Sequence, residues 1–192
     1  MEILGKILGS QARVKIMRLF LLNSDIVFDN KNIAKRSRVD ASALRRELRL
    51  LSAINFIKKK NSGWIYNSDF KYGEALGELL LSDTFDTETI ISHFKKAGKI
   101  KLLLISGIFI KNKDARVDLL LVGDKLKKGK IEESIKKIEA EIGTEIIYAT
   151  FETKEFLYRL DMYDKLVRDI LDFPHEIILQ GKELSTQILK KP

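Results

Sequence analysis

Apolar residues in the first third of the chain recur with the period of a helix, and the pattern predicts three helices. QARVKIMRLFLLN carries them every three or four positions and follows Ser10, a residue type that caps helix N-termini. A short second helix, DNKNIAKRS, is expected to begin near Asp29 or Asn30. A third is expected from Asp40 through DASALRRELRLLSAIN.

Two short apolar runs follow the third helix and predict a β-hairpin. They flank Asn61, Ser62 and Gly63 in FIKKKNSGWIYN, and these are residue types that a tight reversal needs. From residue 69 to 98 the pattern is mostly helical, with interruptions expected at Gly73, Gly77 and the Ser82-Asp83 pair.

The last part of the chain alternates predicted strands and helices. IKLLLISGIF, RVDLLLVGD and TEIIYATFE are expected to be strands, and KGKIEESIKKIEAEIG is an amphipathic helix between the second and the third. The expected structure is an α/β layer with helices on one face of a buried sheet. One further helix, a closing strand after Pro174 and a frayed tail over residues 181–192 complete the prediction.

Charge is distributed unevenly along the 192 residues, which carry a formal net charge of +8. Residues 1–68 hold 14 Lys and Arg against 5 Asp and Glu, whereas residues 69–192 hold 21 against 22. A basic segment joined to a neutral one favours a polyanionic partner, because neutralised phosphates release counterions on binding. A solvated basic surface without such a partner is the alternative.

Other features exclude several classes of protein. The longest apolar run, residues 100–110, is about half of the roughly 20 residues that a membrane-spanning helix needs, and the first nine residues lack the layout of a cleavable signal. We therefore expect a cytoplasmic protein without a membrane partner. With no cysteine and only two isolated histidines, His93 and His175, we expect neither a metal nor a cofactor.

The third predicted helix has two opposite faces. On a helical wheel Leu44, Leu48 and Leu51 share one side, which is expected to face the core. The other side carries one serine and three arginines: Ser42, Arg45, Arg46 and Arg49.

The order helix, helix, basic helix, basic hairpin closely resembles the winged helix-turn-helix family, in which the third helix enters the major groove of DNA and the hairpin contacts the backbone. The resemblance assigns the serine and three arginines to the groove. It assigns Lys58, Lys59 and Lys60 to the hairpin contacts, and further phosphate contacts to Lys35, Arg36 and Arg38. Domains of this family also bind proteins, so a protein partner remains open.

Residues 99–180 resemble the nucleotidyltransferase fold, as found behind winged helices in prokaryotic regulators. In active members a glycine-serine turn holds the nucleotide phosphates, and two acidic residues separated by one position on the next strand bind metal ions. This chain has Arg116 and Asp118 at those positions, and an arginine there would repel the metals. Ser106 and Gly107 occupy the turn, and Glu145 is a candidate third acidic ligand from the neighbouring strand. Asp118 could instead cap a loop or pair with the arginine.

The expected fold class is α+β: a winged helix-turn-helix domain (1–68), a helical linker (69–98), a small nucleotidyltransferase-like domain with a mixed sheet (99–180) and a tail (181–192). We expect a sequence-specific transcriptional regulator that binds double-stranded DNA as a homodimer. The second domain is expected to be a pseudoenzyme used for packing, dimerisation or sensing a small molecule or nucleotide. An active nucleotidyltransferase and an antitoxin-type protein-interaction module are the alternatives.

Overall fold

The computed structural model describes residues 3–82 and 86–184 of an α+β protein, as the sequence predicted. The chain divides into two compact units. The first comprises Met1–Thr84 and Lys136–Glu145, and the second Phe85–Ile135 and Ile146–Pro192. The first unit therefore contains a segment from much later in the chain, which the sequence did not indicate.

The described part of the chain contains nine α-helices and six β-strands. They are α1 (Ile3–Ile7), α2 (Gln11–Leu22), α3 (Asn30–Ser37), α4 (Ala41–Ala53), β1 (Ile57–Lys60), β2 (Gly63–Tyr66), α5 (Gly73–Ser82), α6 (Thr87–Phe94), β3 (Lys99–Ile105), β4 (Leu119–Asp124), α7 (Lys128–Ile142), β5 (Tyr148–Glu152), α8 (Thr153–Asp161), α9 (Lys165–Asp172) and β6 (Glu176–Gln180). A 3-10 turn, Gly107–Ile110, follows β3. No helix within the described residues is long and apolar enough to cross a membrane.

The predicted starts of the first three long helices are confirmed by their caps. The side chains of Ser10, Asp29 and Asp40 each accept a hydrogen bond from a backbone N–H in the first turn of α2, α3 and α4, at 2.7 to 3.2 Å. Such bonds satisfy donors that helix geometry leaves without a partner. The predicted break at Gly77 is wrong, because α5 runs through it from Gly73 to Ser82.

The predicted hairpin is present and is attached to the helices at its second strand. β1 and β2 pair antiparallel with Lys60 opposite Gly63, and Asn61 takes a left-handed φ of 54° in the two-residue turn. Trp64 exchanges two backbone hydrogen bonds, of 2.8 and 2.9 Å, with Phe28 in the segment between α2 and α3. The hairpin is therefore fixed against that segment.

The core of the first unit contains a buried arginine that the sequence did not single out. Every residue from Ile16 to Phe20 of α2 is buried, and Arg18 is only 1% exposed. Its Nε donates to the carbonyl of Leu80 (2.8 Å) and its Nη1 to that of Glu141 (3.1 Å). Both carbonyls lie in the last turns of helices, α5 and α7, where helix geometry leaves them without a partner and the helix dipole favours a cation.

The end of α7 lies very close to α2. Gly143, directly after the helix, has a φ of +95° and its carbonyl accepts a hydrogen bond from Asn23 Nδ2 (2.8 Å). A Cβ atom at this glycine would lie 2.6 Å from the carbonyl carbon of Arg18. Glycine is required here both by the backbone angle and by the close approach.

The second unit is built on a mixed four-stranded sheet of order β5-β4-β3-β6. β4 and β5 are parallel and the other pairs antiparallel. Side chains of α8 and α9, among them Phe156, Val167 and Ile170, pack on Leu102 and Leu104 of one face. Consecutive residues of β3 and β4 are buried, and because successive strand residues point to opposite faces, these two strands are buried on both faces, as expected for a buried sheet.

Three features of the chain ends differ from prediction. α1 was not expected. The single long helix near the C-terminus is two helices, α8 and α9, because Tyr163 between them takes a left-handed φ of 54°. Residues 181–184 are not frayed, since Gly181 N donates to Lys101 O, Leu184 is fully buried and Glu183 pairs with Lys101. Residues 185–192 lie outside the described part.

Replacing Arg18 with Met should destabilise the first unit by about 2–4 kcal/mol, because two buried helix-end carbonyls lose charged donors. The free energy of unfolding, measured by urea denaturation, checks this. Lys31→Met, which removes the same charge at an exposed position of α3, is the control and should change stability by less than about 0.5 kcal/mol. Equal effects of the two changes would contradict a structural role for Arg18.

Candidate nucleic-acid interface and the turn around Asp118

α4 presents a leucine face to the core and an arginine face to solvent, as its sequence predicted. Leu44, Leu48 and Leu51 are at most 3% exposed. The predicted groove residues Ser42, Arg45, Arg46 and Arg49 are all exposed. The helix therefore offers a cationic surface on the side opposite its core contacts.

The three arginines of this face differ in their partners. Arg45 and Arg49, one turn apart, form no ion pair within the described part of the chain. Arg46 Nη2 lies 3.2 Å from Glu47 Oε1, although its side chain remains 68% exposed. Arg46 is thus partly held within the protein, whereas the other two are available to a partner.

Glu47 is a buried carboxylate that fixes α4 against α2. Its residue is fully buried, and its Oε2 accepts a hydrogen bond from Arg13 Nε at 2.9 Å. Burial by itself would raise the pKa of Glu47, but hydrogen bonds from Ser10 and Arg13, the charge of Arg13 and the bond from Arg46 outweigh it and lower the pKa. The burial of Glu47 could have been predicted from the helical wheel, because this residue lies about 60° from Leu44 on the core side.

The three hairpin lysines, Lys58, Lys59 and Lys60, are all exposed. Lys59 Nζ lies 4.3 Å from the ring centroid of Trp64, whose Nε1 donates to Asn30 Oδ1 at 3.0 Å. Lys58 Nζ lies 3.8 Å from a carboxylate oxygen of the exposed Asp69. The hairpin thus extends the exposed cationic surface of the first unit.

The predicted phosphate contacts around the end of α3 are not equivalent. Lys35 and Arg38 are exposed. The side chain of Arg36 is 28% exposed, its Nη1 lies 3.1 Å from Glu145 Oε1, and its guanidinium carbon is 5.4 Å from the ring centroid of Phe28. Within the described residues, Arg36 therefore has internal partners, whereas Lys35 and Arg38 form no ion pair.

Asp118 caps two segments of backbone in the second unit. Its Oδ1 accepts from the N–H of Ile108 and its Oδ2 from that of Ile147, both at 2.8 Å. Of the alternatives that the sequence left open for Asp118, this is the loop cap. The pairing with Arg116 does not occur, since Arg116 Nε donates instead to Asp169 Oδ2 at 3.0 Å.

The turn after β3 closes around that carboxylate. Ser106 is buried and its Oγ donates to the carbonyl of Pro174 at 2.7 Å. Gly107 has a φ of +54°, and a Cβ atom there would overlap Asp118 Oδ1. Both residues of the predicted phosphate turn are thus engaged in holding the turn itself.

The residues present do not fit a two-metal site. Regular strand structure in β4 begins only at Leu119, so Arg116 and Asp118 precede it instead of lying on it as predicted. Glu145, the candidate third ligand, pairs with Arg36 through its Oε1 at 3.1 Å. Over residues 3–82 and 86–184 there is no group of three or more potential His, Cys, Asp or Glu ligands.

Comparison with known proteins gives no relative. No family model matches the chain, and neither a curated protein nor a solved structure is significantly similar to it. The winged-helix and nucleotidyltransferase resemblances therefore depend on the residues and geometry of this chain alone.

Glu47→Gln should lower the free energy of unfolding at neutral pH by about 1–3 kcal/mol, because it removes a buried charge from its partly exposed arginine partners. Since the pKa of Glu47 is lowered by folding, its contribution is fully present above the ordinary value of 4.5 and is lost as pH falls through the lowered value. The difference in the free energy of unfolding between the variant and the unmutated protein should therefore become smaller as the pH falls. Urea denaturation from pH 7 to pH 3 measures it, with the exposed Glu74→Gln as control; a difference independent of pH would contradict the assignment.

Asp118→Asn should lower stability by about 1–3 kcal/mol, because an amide can accept only one of the two backbone N–H bonds and its NH₂ group faces the other donor. Thermal unfolding measures the loss, with Asp114→Asn at an exposed position as control. Millimolar Mg²⁺ should leave the midpoint temperature of thermal unfolding of the unmutated protein unchanged. A midpoint raised by Mg²⁺ in the unmutated protein but not in the Asp118 variant would instead indicate a metal site.

Proposed function

We propose that this protein is a transcriptional regulator that binds double-stranded DNA in a sequence-specific manner as a homodimer. The observation that carries the proposal is the exposed arginine face of α4, opposite a fully buried leucine face. An exposed helix of this kind fits the major groove, whose width admits one α-helix. In a dimer two such helices would contact half-sites about one helical turn of DNA apart.

Arg45 and Arg49 are the proposed base-reading residues. A guanidinium has the planar fork that matches the O6 and N7 acceptors of guanine, and these two have no competing carboxylate within the described chain. Arg46 is held by Glu47, and Ser42 donates its hydroxyl to Asp40 at 2.8 Å. These two residues would need to exchange an internal partner for a DNA group.

The hairpin lysines, together with Lys35 and Arg38, are the proposed phosphate contacts. A lysine ammonium binds phosphate as a point charge and carries no base information, so these contacts would supply affinity and not selectivity. The hairpin is held by the backbone pairing of Phe28 with Trp64, which supports a fixed position for its lysines relative to α3.

For the second unit we propose a role in packing, dimerisation or sensing a small molecule, without nucleotidyl transfer. The support is local: both oxygens of Asp118 accept backbone N–H groups, and a cation, Arg116, lies two residues before it. A carboxylate so committed has little capacity left for a divalent ion.

DNA selected from a random duplex library by the protein, compared with a scrambled duplex, tests the proposal. Fluorescence anisotropy should show affinity that falls steeply with salt, and Arg45→Ala with Arg49→Ala should reduce the preference for the selected duplex by about tenfold or more. Lys58→Ala with Lys60→Ala should weaken both duplexes equally and reduce the salt slope by about 1 for each phosphate that is no longer neutralised.

The matched control is Lys154→Ala with Lys165→Ala, which removes two exposed charges from the second unit and should leave the preference unchanged. Absent or salt-insensitive binding by the unmutated protein would contradict the proposal. So would an arginine variant that keeps its full preference for the selected duplex.

A further inference from the structure

Arg36, which the sequence predicted as a phosphate contact, is paired with a carboxylate of the same chain. Its guanidinium lies over the ring of Phe28, at 5.4 Å from the centroid, and Phe28 pairs through its backbone with Trp64 of the hairpin. Arg36 is therefore next to the residue that anchors the basic hairpin. A guanidinium restrained in this way loses less conformational freedom on binding an anion than a free one.

Glu145 is brought to Arg36 by an anchored segment. The carbonyl of Glu141 accepts from buried Arg18, and that of Gly143 accepts from Asn23. Glu145 follows two residues later, and its Oε1 lies 3.1 Å from Arg36 Nη1. Residues 109 positions apart in sequence thus form a pair whose acidic member is held near its partner by contacts that do not involve its own side chain.

The energetics of this pair favour exchange. The Glu145 side chain is 78% exposed, and exposed ion pairs contribute only about 0–1 kcal/mol. A DNA phosphate could therefore replace the carboxylate at small cost. The displaced carboxylate would remain within a Debye length of about 8 Å and repel the incoming phosphates, so its presence lowers affinity whether or not it is displaced.

We propose that Glu145 limits the DNA affinity of the first unit by competing with backbone phosphate for Arg36. The inference rests on the proposed DNA-binding function and adds a regulatory contact to the same surface. Phosphate contacts carry no base information, so Glu145 would reduce affinity for all duplexes by the same factor and leave sequence preference unchanged.

The test is Glu145→Gln in the full chain, assayed by anisotropy with selected and scrambled duplexes over a range of salt. We expect affinity for both duplexes to rise about 3–10-fold at low salt and the salt slope to steepen by up to about 0.9, as for one added phosphate contact. The control is Asp25→Asn, which removes one exposed negative charge from the same unit at a position without an ion pair in the described chain. It should raise affinity clearly less.

A second background isolates the pair. In Arg36→Ala the further change Glu145→Gln should raise affinity clearly less than it does when Arg36 is present, because the contested cation is gone and only the repulsion by the carboxylate remains. If the unmutated protein binds DNA but the two acidic variants behave alike, or if the effect of Glu145→Gln is undiminished without Arg36, the competition is wrong and DNA binding stands. If none of the variants binds DNA, both proposals are wrong.

Discussion

The first unit depends on burying α2 on all sides. Residues 16–20 of this helix are all buried, so every neighbouring element must pack on it and any polar group it carries needs an internal partner. Arg18 meets that requirement by donating to the carbonyls of Leu80 and Glu141, at the ends of α5 and α7. A buried guanidinium therefore joins three segments of the chain. The same contacts hold the segment that carries Glu145. The proposed control of DNA affinity therefore depends on the hydrogen bonds that the buried Arg18 forms.

The orientation of α4 has an electrostatic cause in addition to the burial of its leucines. Hydrophobic burial selects the face that turns inward, but an apolar stripe alone allows a helix to rotate slightly. Glu47 on that inward side meets Arg13 of α2 at 2.9 Å, a directional contact that restricts the rotation. With Glu47 directed inward, Arg45 and Arg49 are directed to solvent. The buried acid thus helps to keep the arginine face exposed, at the cost of partly holding Arg46.

Features set by neighbouring residues could be predicted from the sequence, and features set by distant ones could not. Caps act within three residues, so Ser10, Asp29 and Asp40 located the helix starts, and the wheel gave the two faces of α4. The partners of Arg18 lie 62 and 123 residues away, so they could not be identified from the residues around it. The uninterrupted apolar runs of β3 and β4 indicated a buried sheet, as the structure has it. The DNA contacts stay predictions, because contacts with a partner are not visible in the chain alone.

The same distinction explains why the turn after β3 can contain the residue types of a phosphate or metal site without that chemistry. An aspartate and a glycine turn at this place in the chain are what phosphate and metal binding would require. Here each is also needed by the other, because Asp118 accepts the N–H of Ile108 while Gly107 leaves room for its carboxylate. Asp118 further ties the turn to Ile147 just before β5. Replacing either residue would leave buried or turn-forming donors without an acceptor, so packing alone is a sufficient reason to keep both. Residue types at this turn therefore do not by themselves indicate a reaction.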